Sequence, residues 1–231
     1  MEHLSNIELY YALPQNIKDG IVKLTGDESG HIARVMRHTE GDTIYVTNGE
    51  GKIYRTVIRQ ADKENVFSEI EEQYVYQNNN TNKIFCIPRL KNPERFEFAL
   101  EKSVELGITS FIVFECKRTI AKGEKIDRWK KILLSAMKQS LRSFMPEITY
   151  VKSLKHIAAL EGQKLVFEQN SKRHLRDVAF DPELKYYFVF GPEGGLDDSE
   201  LELFGSDCFY EIGENRLRSE TAIIKAAALA G

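Results

Sequence analysis

From residue 7 to residue 76, apolar and polar side chains alternate in short stretches such as TIYVTNGEG and KIYRTVIRQ. A period of two puts every second side chain on the same face of a strand, so these stretches read as strands with one buried face. The pairs Gly41-Asp42 and Asn48-Gly49 punctuate them, the second with the chemistry of a tight hairpin turn. The pattern predicts a small antiparallel sheet or barrel interrupted by one helix near ESGHIARVMRH, packed inward through Ile32, Val35 and Met36. The polar tract QNNNTN at 77–82 has no periodicity and marks a linker between a domain at 1–76 and another at 83–231.

Beyond residue 82 strands and helices alternate. KIFCIPRL, FIVFECKR, KLVFEQ, KYYFVF and CFYEIG are the predicted strands, and their alternation with helices points to an α/β layer architecture with a largely parallel sheet. A helix from Pro93 to about Leu106 has Asn92 to cap its first turn, Pro93 at its first position and Gly107 at its exit. Its Phe96, Leu100 and Val104 share a face. A second helix spans roughly Asp127 to Phe144, with Trp129, Ile132, Leu133, Ala136 and Met137 at near-helical spacing that reads as buried core in preference to a base-stacking role. An Ala-rich helix from about Glu220 to Ala230 ends the chain.

Composition narrows the class without naming a function. With 42% hydrophobic and 29% charged residues the 231-residue chain is ordinarily globular. No apolar run approaches the roughly 20 residues that span a bilayer, and MEHLSNIELYYALP lacks the basic-then-apolar grammar of a leader, so the chain is expected to be cytoplasmic. Cys86, Cys116 and Cys208 form no C-x-x-C pair and read as buried thiols. His3, His31, His38, His156 and His174 lack ligand spacing, so no metal site is expected. The net charge of −3 argues against nonspecific coating of nucleic acid, but it is unevenly distributed. Residues 1–76 hold 8 Lys+Arg against 13 Asp+Glu, and residues 83–142 hold 14 against 7. That basic middle suits a phosphate-bearing partner, and equally a solvated helix face.

Two loops hold the candidate chemistry. VFGPEGGLDDSELELF, at 189–204, leaves the predicted end of a strand, where α/β proteins gather ligands. Gly191, Gly194 and Gly195 permit close backbone approach to a ligand or simply a tight turn. Asp197 and Glu200 have the spacing of a capping box, which gives Glu200 a structural role. The stretch EIGENRLRSETAIIKAAALAG sets Gly213, Arg216, Arg218, Ser219, Glu220 and Thr221 before a helix N-terminus, an arrangement for an anionic or zwitterionic ligand unless Ser219 is a plain N-cap. Neither G-x-x-x-x-G-K-[ST] nor a strand followed by G-x-G-x-x-G occurs, which disfavours an ATPase, a phosphate-transfer enzyme or an ordinary dinucleotide enzyme.

Together, GPEGG after a strand, LRSETA opening the last helix, EKSVELGI at 101–108 and SAMKQSLRSFMP at 135–146 resemble the bacterial small-subunit (16S) rRNA uridine-N3 methyltransferases of the SPOUT superfamily. HIARVMRHTEGDTIYVTNGEG is similar to that family's PUA-like RNA-binding domain, so the resemblance covers nearly the whole chain. It implies an α/β fold: a C-terminal SPOUT-type domain with a deep trefoil knot, preceded by a small PUA-like β-barrel. It also implies S-adenosyl-L-methionine as cofactor, 16S rRNA in the assembled small ribosomal subunit as partner, and a homodimer. Three positions depart from the family's usual pattern: Arg216 in place of Ile, Ser219 in place of Thr, and Ser135 in place of an acid.

Carried onto this chain, the resemblance assigns Gly191, Glu193, Gly194, Gly195, Ile212, Gly213, Leu217, Arg218 and Thr221 to the cofactor, with Phe167 and Glu168 at the matching edge of another strand. Arg142, Arg218 and Glu220 are the catalytic candidates, the arginines to stabilise a uracil anion and Glu220 as a base. Because N3 lies on the Watson–Crick edge, the target must be unpaired or flipped out. Arg34 and Arg37 of the first domain, and Lys91, Arg95, Lys117, Arg118, Lys122 and Arg128 of the basic segment, are the expected phosphate contacts. Methylation of another RNA such as tRNA, and an RNA-binding assembly factor without turnover, are the alternatives.

Overall fold

Short alternating stretches build the first sheet. Its strands are β1 (Leu9–Tyr11), β2 (Ile17–Lys18), β3 (Ile21–Thr25), β4 (Thr43–Thr47), β5 (Lys52–Ala61) and β6 (Asn65–Val75), in the order β1-β4-β5-β6-β3-β2. Every pair is antiparallel except β1 with β4, whose connection passes through β2 and β3 before returning, as a parallel pair requires. The predicted alternation holds: Val22 and Leu24 of β3, and Ile44 and Val46 of β4, all point into one core with Tyr10, Ile58 and Val66. Asn48-Gly49 opens the β4–β5 hairpin, but the loop takes residues 48–51. Asn48 Oδ1 accepts from the amides of Glu50 (2.9 Å) and Lys52 (3.1 Å), and Gly49 sits at φ +74°.

The helix expected near residue 30 is a single α-turn, α1 (Asp27–Gly30), continuing into a π-turn at His31–Met36. Ile32 is fully buried as expected, whereas Val35 and Met36 are 63% and 43% exposed. The wider π-turn breaks the spacing that would have brought them inward, and Arg37 ends it in the left-handed region at φ +59°.

The computed structural model describes residues 7–231, and its contacts separate two units. Met1–Asn6, which begin the stretch read as lacking a leader and include His3, lie outside the described residues. The first unit runs to Asn78 and takes in Met137–Met145; the second holds Asn79–Ala136 and Pro146–Gly231. The segment 137–145, assigned by sequence to the second domain, therefore groups with the first. Its backbone explains why: Met145 N donates to Gly49 O at 2.8 Å, and Gly51 N to Ser143 O at 2.8 Å.

The second unit alternates β7 (Lys83–Pro88), α2 (Pro93–Glu105), β8 (Ser110–Phe114), α3 (Ile126–Gln139), β9 (Glu147–Val151), α4 (Leu154–Ala158), β10 (Gln163–Phe167), β11 (Tyr186–Val189), α5 (Asp198–Leu201), β12 (Phe209–Tyr210) and α6 (Ser219–Ala230). Its six strands are all parallel, in the order β12-β10-β11-β7-β8-β9. Parallel strands are covered on both faces, and here Tyr186 to Val189 are buried without a break. Asn92 caps α2 by accepting from Glu94 N (2.8 Å) and Arg95 N (3.2 Å), an interaction that contributes about 1 kcal/mol. Phe96, Leu100 and Val104 form its buried face, and Trp129, Leu133, Ala136 and Met137 are buried along α3. The second helix stops at Gln139 rather than Phe144 because Leu141 turns left-handed at φ +56°. The sequence reading also missed β9 and overextended β12, where pairing to β10 lasts only two residues.

Candidate functional site

Because β11, β10 and β12 are parallel neighbours, their C-terminal ends lie side by side, and the loops leaving them meet over one cavity of about 720 Å³. Phe167 ends β10, and its ring lies 4.9 Å from that of Phe190, which follows β11. The chain then turns through Gly191-Pro192-Glu193-Gly194-Gly195. Gly195 N donates to Pro192 O at 2.9 Å, and φ at Gly195 is +71°, a conformation glycine adopts without strain. A Cβ on Gly191 would meet Gly195 Cα and Leu196 N at 3.4 Å, so the two limbs of the turn touch backbone to backbone.

This turn is tied down from outside. Arg118 Nη1 donates to the carbonyls of Gly194 (2.9 Å) and Leu196 (3.1 Å). Glu193 accepts from Lys91 N at 3.0 Å. The capping box at α5 is present: Glu200 Oε2 accepts from Asp197 N (3.0 Å), and its other oxygen accepts from Lys117 N (2.8 Å), which confirms Glu200 in the structural role. Lys117 Nζ, 2.9 Å from Asp197, holds that carboxyl well below its ordinary range, at about 2, with help from Ser199.

The N-terminus of α6 forms the facing wall. Arg218, not Ser219, occupies the N-cap position, and it has no side-chain cap bond. The Ser219 hydroxyl instead donates to Gly191 O, joining the two loops. With no capping side chain, the first amides of α6 and its positive dipole end are available at the cavity wall. Glu220 follows at 9% exposure, with Oε1 3.6 Å from Arg95 Nε on α2. Its Oε2 is buried and has no hydrogen-bond partner, an arrangement that costs about 1–3 kcal/mol or more for a charged group.

The cavity collects most of the residues singled out by sequence. Phe167, Glu168, Gly191, Glu193, Gly194 and Gly195 line it from β10 and β11. Ile212, Gly213, Leu217, Arg218 and Glu220 line it from the other side, with the atypical Arg216 among them. Thr221 does not: it is exposed one residue further along α6. Arg142 also lies outside the lining, in the 137–145 segment of the first unit, where burial lowers its guanidinium pKa. Arg95 and Arg118, expected as phosphate contacts, line the cavity instead, as do Phe190, Leu196 and Tyr210, which were not singled out. Their signal in sequence was position alone, at or just past the predicted strand ends.

Several cations of the basic segment are engaged within the second unit. Lys117 and Arg118 pair with Asp197, Lys122 with Glu115 at 3.3 Å, and Arg128 with Glu97 at 2.6 Å. Lys91 is exposed and its side chain has no acidic partner among the described residues. In the first unit Arg55 and Arg59 pair with Glu71 and Glu69, whereas Arg34 and Arg37 are exposed on the π-turn with no acidic partner among the described residues. Cys86 and Cys116 are buried and Cys208 is half-buried; all three are free thiols. No group of His, Cys, Asp and Glu suited to a metal ion occurs among the described residues.

Residues 77–231 match the family model of an RNA methyltransferase domain, and residues 24–71 that of an RNA methyltransferase PUA domain. The chain is 30% identical over 227 residues to the ribosomal RNA small subunit methyltransferase E of Bacillus subtilis, covering 88% of this chain and 86% of that protein. Among solved structures it is similar to the ribosomal RNA small subunit methyltransferase E of Neisseria gonorrhoeae bound to S-adenosyl methionine. There the identity is 27%, with 96% of each chain covered and a TM-score of 0.85. A probable rRNA-methyltransferase from Porphyromonas gingivalis is 29% identical, with 96% and 95% covered and a TM-score of 0.82.

Proposed function

This chain belongs to the RNA methyltransferase family, and from that premise we propose that it methylates N3 of a uridine in small-subunit (16S) ribosomal RNA with S-adenosyl-L-methionine. The observation that carries the reading is the cavity at the ends of β10, β11 and β12, closed by the Gly191–Leu196 turn and the α6 N-terminus. Its volume, about 720 Å³, lies in the range of small-molecule sites. The residues present fit the cofactor. Backbone at Gly191 and Gly195 leaves room for close approach, Ile212 and Leu217 offer apolar contact, and the amides at the start of α6 suit a carboxylate. When bound, S-adenosylmethionine supplies an electrophilic methyl on a sulfonium.

The chain's own residues do the rest in this reading. Arg218, exposed at the cavity rim, stabilises negative charge that develops on the uracil oxygens. Arg118 keeps the Gly194 turn in shape through its two carbonyl contacts. Arg34, Arg37 and Lys91 hold phosphates, and the first unit is the RNA-gripping domain, a PUA-like barrel. We read the second unit as SPOUT-type with a deep trefoil knot near the C-terminus. Support comes from the sheet order, in which β12 lies outside β10 while α6, after it, returns to pack on α2 next to β7. A homodimer is supported by Phe98 of α2 and Leu229 of α6, which are 49% and 45% exposed. The substrate is the assembled small subunit and the location the cytoplasm; no helix among the described residues is long and apolar enough to cross a membrane.

The test is transfer of tritiated methyl from S-adenosylmethionine to small subunits from a strain lacking this protein, followed by nucleoside analysis. N3-methyluridine formed by the wild type and absent with Arg218→Ala is the expected result. No incorporation despite measurable cofactor binding overturns the rRNA assignment.

A further inference from the structure

Among the described residues five buried side-chain polar atoms lack a hydrogen-bond partner, and one of them belongs to a carboxylate: Oε2 of Glu220. Glu220 itself lines the cavity, on the wall formed by the start of α6. The other carboxylates there are engaged or solvated. Glu193 accepts from Lys91 N, Glu211 lies 3.6 Å from His174, Glu168 accepts from Gln169 N, and Asp198 is exposed. Beside the spare oxygen stands Arg95, its Nε 3.6 Å from Oε1 of the same carboxylate. Glu220 and Arg95 thus present an acceptor and a donor side by side. A cationic nitrogen brought to Oε2 would also meet the Arg95 guanidinium as a like charge. The Watson–Crick edge of uracil has no such conflict: it is a neutral N3–H flanked by two carbonyl oxygens, a donor between acceptors.

We propose that Glu220 is the general base that removes the N3 proton and that Arg95 receives the charge the proton leaves behind. The inference rests on the uridine-N3 reading above. The N3–H bond breaks, its proton passes to Glu220 Oε2, and the electron pair stays on the ring as an anion shared with the two carbonyl oxygens. Protonation ends the attraction between Glu220 and Arg95, which frees the guanidinium to pair with a uracil oxygen. Proton and methyl use the same in-plane lone pair, so deprotonation comes first and the neutral acid then withdraws. The N3 pair next forms the new N–CH₃ bond as the S–CH₃ bond breaks. Its electrons stay on sulfur, leaving a neutral thioether.

The experiment uses the full chain, small subunits and S-adenosylmethionine, with wild type, Glu220→Gln and Arg95→Ala. Three quantities are measured: cofactor affinity by calorimetry, single-turnover methyl transfer, and the pH dependence of that rate. Glu220→Gln is expected to slow transfer by about 10²–10⁴-fold while cofactor affinity stays within about 3-fold. Its rate should climb about tenfold per pH unit, because the imide must lose its proton to solvent, while the wild-type profile is flatter. Arg95→Ala, on a side chain 42% exposed, is expected to slow transfer by about 10²-fold with affinity unchanged. It keeps the test open should the Gln variant fold poorly. A wild-type rate in Glu220→Gln overturns the proposal. So does a loss of cofactor affinity that accounts for the lost rate, since Glu220 would then hold the methyl donor. If the wild type itself forms no N3-methyluridine, it is the uridine-N3 reading that fails.

Discussion

In the second unit Arg118 holds two carbonyls, Arg128 holds Glu97 and Arg95 leans on Glu220, whereas in the first unit Arg34 and Arg37 extend from a π-turn toward solvent. Several cations of the segment with the larger positive balance are already engaged, although Lys91 is not. The acidic segment holds two arginines, Arg34 and Arg37, that have no acidic partner among the described residues. Net charge over a stretch therefore overstates the charge that a surface can offer to phosphate. An ion pair within a fold cancels in its effect on a phosphate, and only an unmatched cation releases counterions from nucleic acid. The cavity, by contrast, depends on backbone shape, with side chains recruited to hold the turns.

The sharpest way to break this contrast is to disturb the backbone of the cavity. Gly191→Val places branched carbon where a Cβ alone meets Gly195 and Leu196 at 3.4 Å. Overpacking of this kind costs about 1–3 kcal/mol, so S-adenosylmethionine binding measured by calorimetry should weaken about 10- to 100-fold. RNA binding by the first unit's arginines should be untouched. The next effect belongs to those arginines. Arg34→Ala with Arg37→Ala should lower the salt dependence of RNA binding by roughly 1.4 in log–log slope, for two single-strand phosphate contacts. Filter binding across a salt series reads this directly. The control, Arg55→Ala with Arg59→Ala, removes cations already paired with Glu71 and Glu69 and should leave the slope unchanged. Equal losses in the two double variants would erase the distinction between free and engaged cations.

The parts of the fold legible in sequence are those governed by local rules. Alternation located β3 to β6, Asn92 and Gly107 bounded α2, and Asp197 with Glu200 announced the capping box. The misses arise where tertiary contacts decide. Val35 and Met36 have helical spacing from Ile32, but a π-turn exposes them. Leu141 carries no breaker signal, yet its left-handed turn ends α3 early and residues 137–145 join the first unit. The glycine loop was visible as a motif, whereas the pairing of Arg95 with Glu220 joins residues over 120 positions apart and leaves no local trace. Charge counting is limited for the same reason: a sequence shows which cations exist, and only the fold shows which carboxylates reach them.

A smaller effect sharpens the view that Arg118 is a brace rather than an RNA contact. Arg118→Ala removes two donors from exposed or half-exposed carbonyls that water can satisfy in part. The expected outcome is about 3- to 10-fold weaker cofactor binding, in line with the loss of about 1 kcal/mol for an ordinary hydrogen bond. The salt slope of RNA binding should not move. A changed slope with unchanged cofactor affinity would return Arg118 to the phosphate-contact group.

The smallest effect lies in the pH dependence of the same brace. Lys117 beside Asp197 holds that carboxyl at about 2, below its ordinary value of 3.8. A carboxylate depressed in the folded state favours folding above its unfolded pKa, and the contribution fades as the pH falls from about 4 toward 2. Asp197→Asn should therefore lower the melting temperature slightly at neutral pH, and the gap to wild type should close on acidification through that window. Arg34→Ala with Arg37→Ala should show no such closing gap, because no acid partners those arginines among the described residues. An acid-dependent gap in the π-turn variant would mean that its arginines find a carboxylate after all, and the two regions would then differ in degree only.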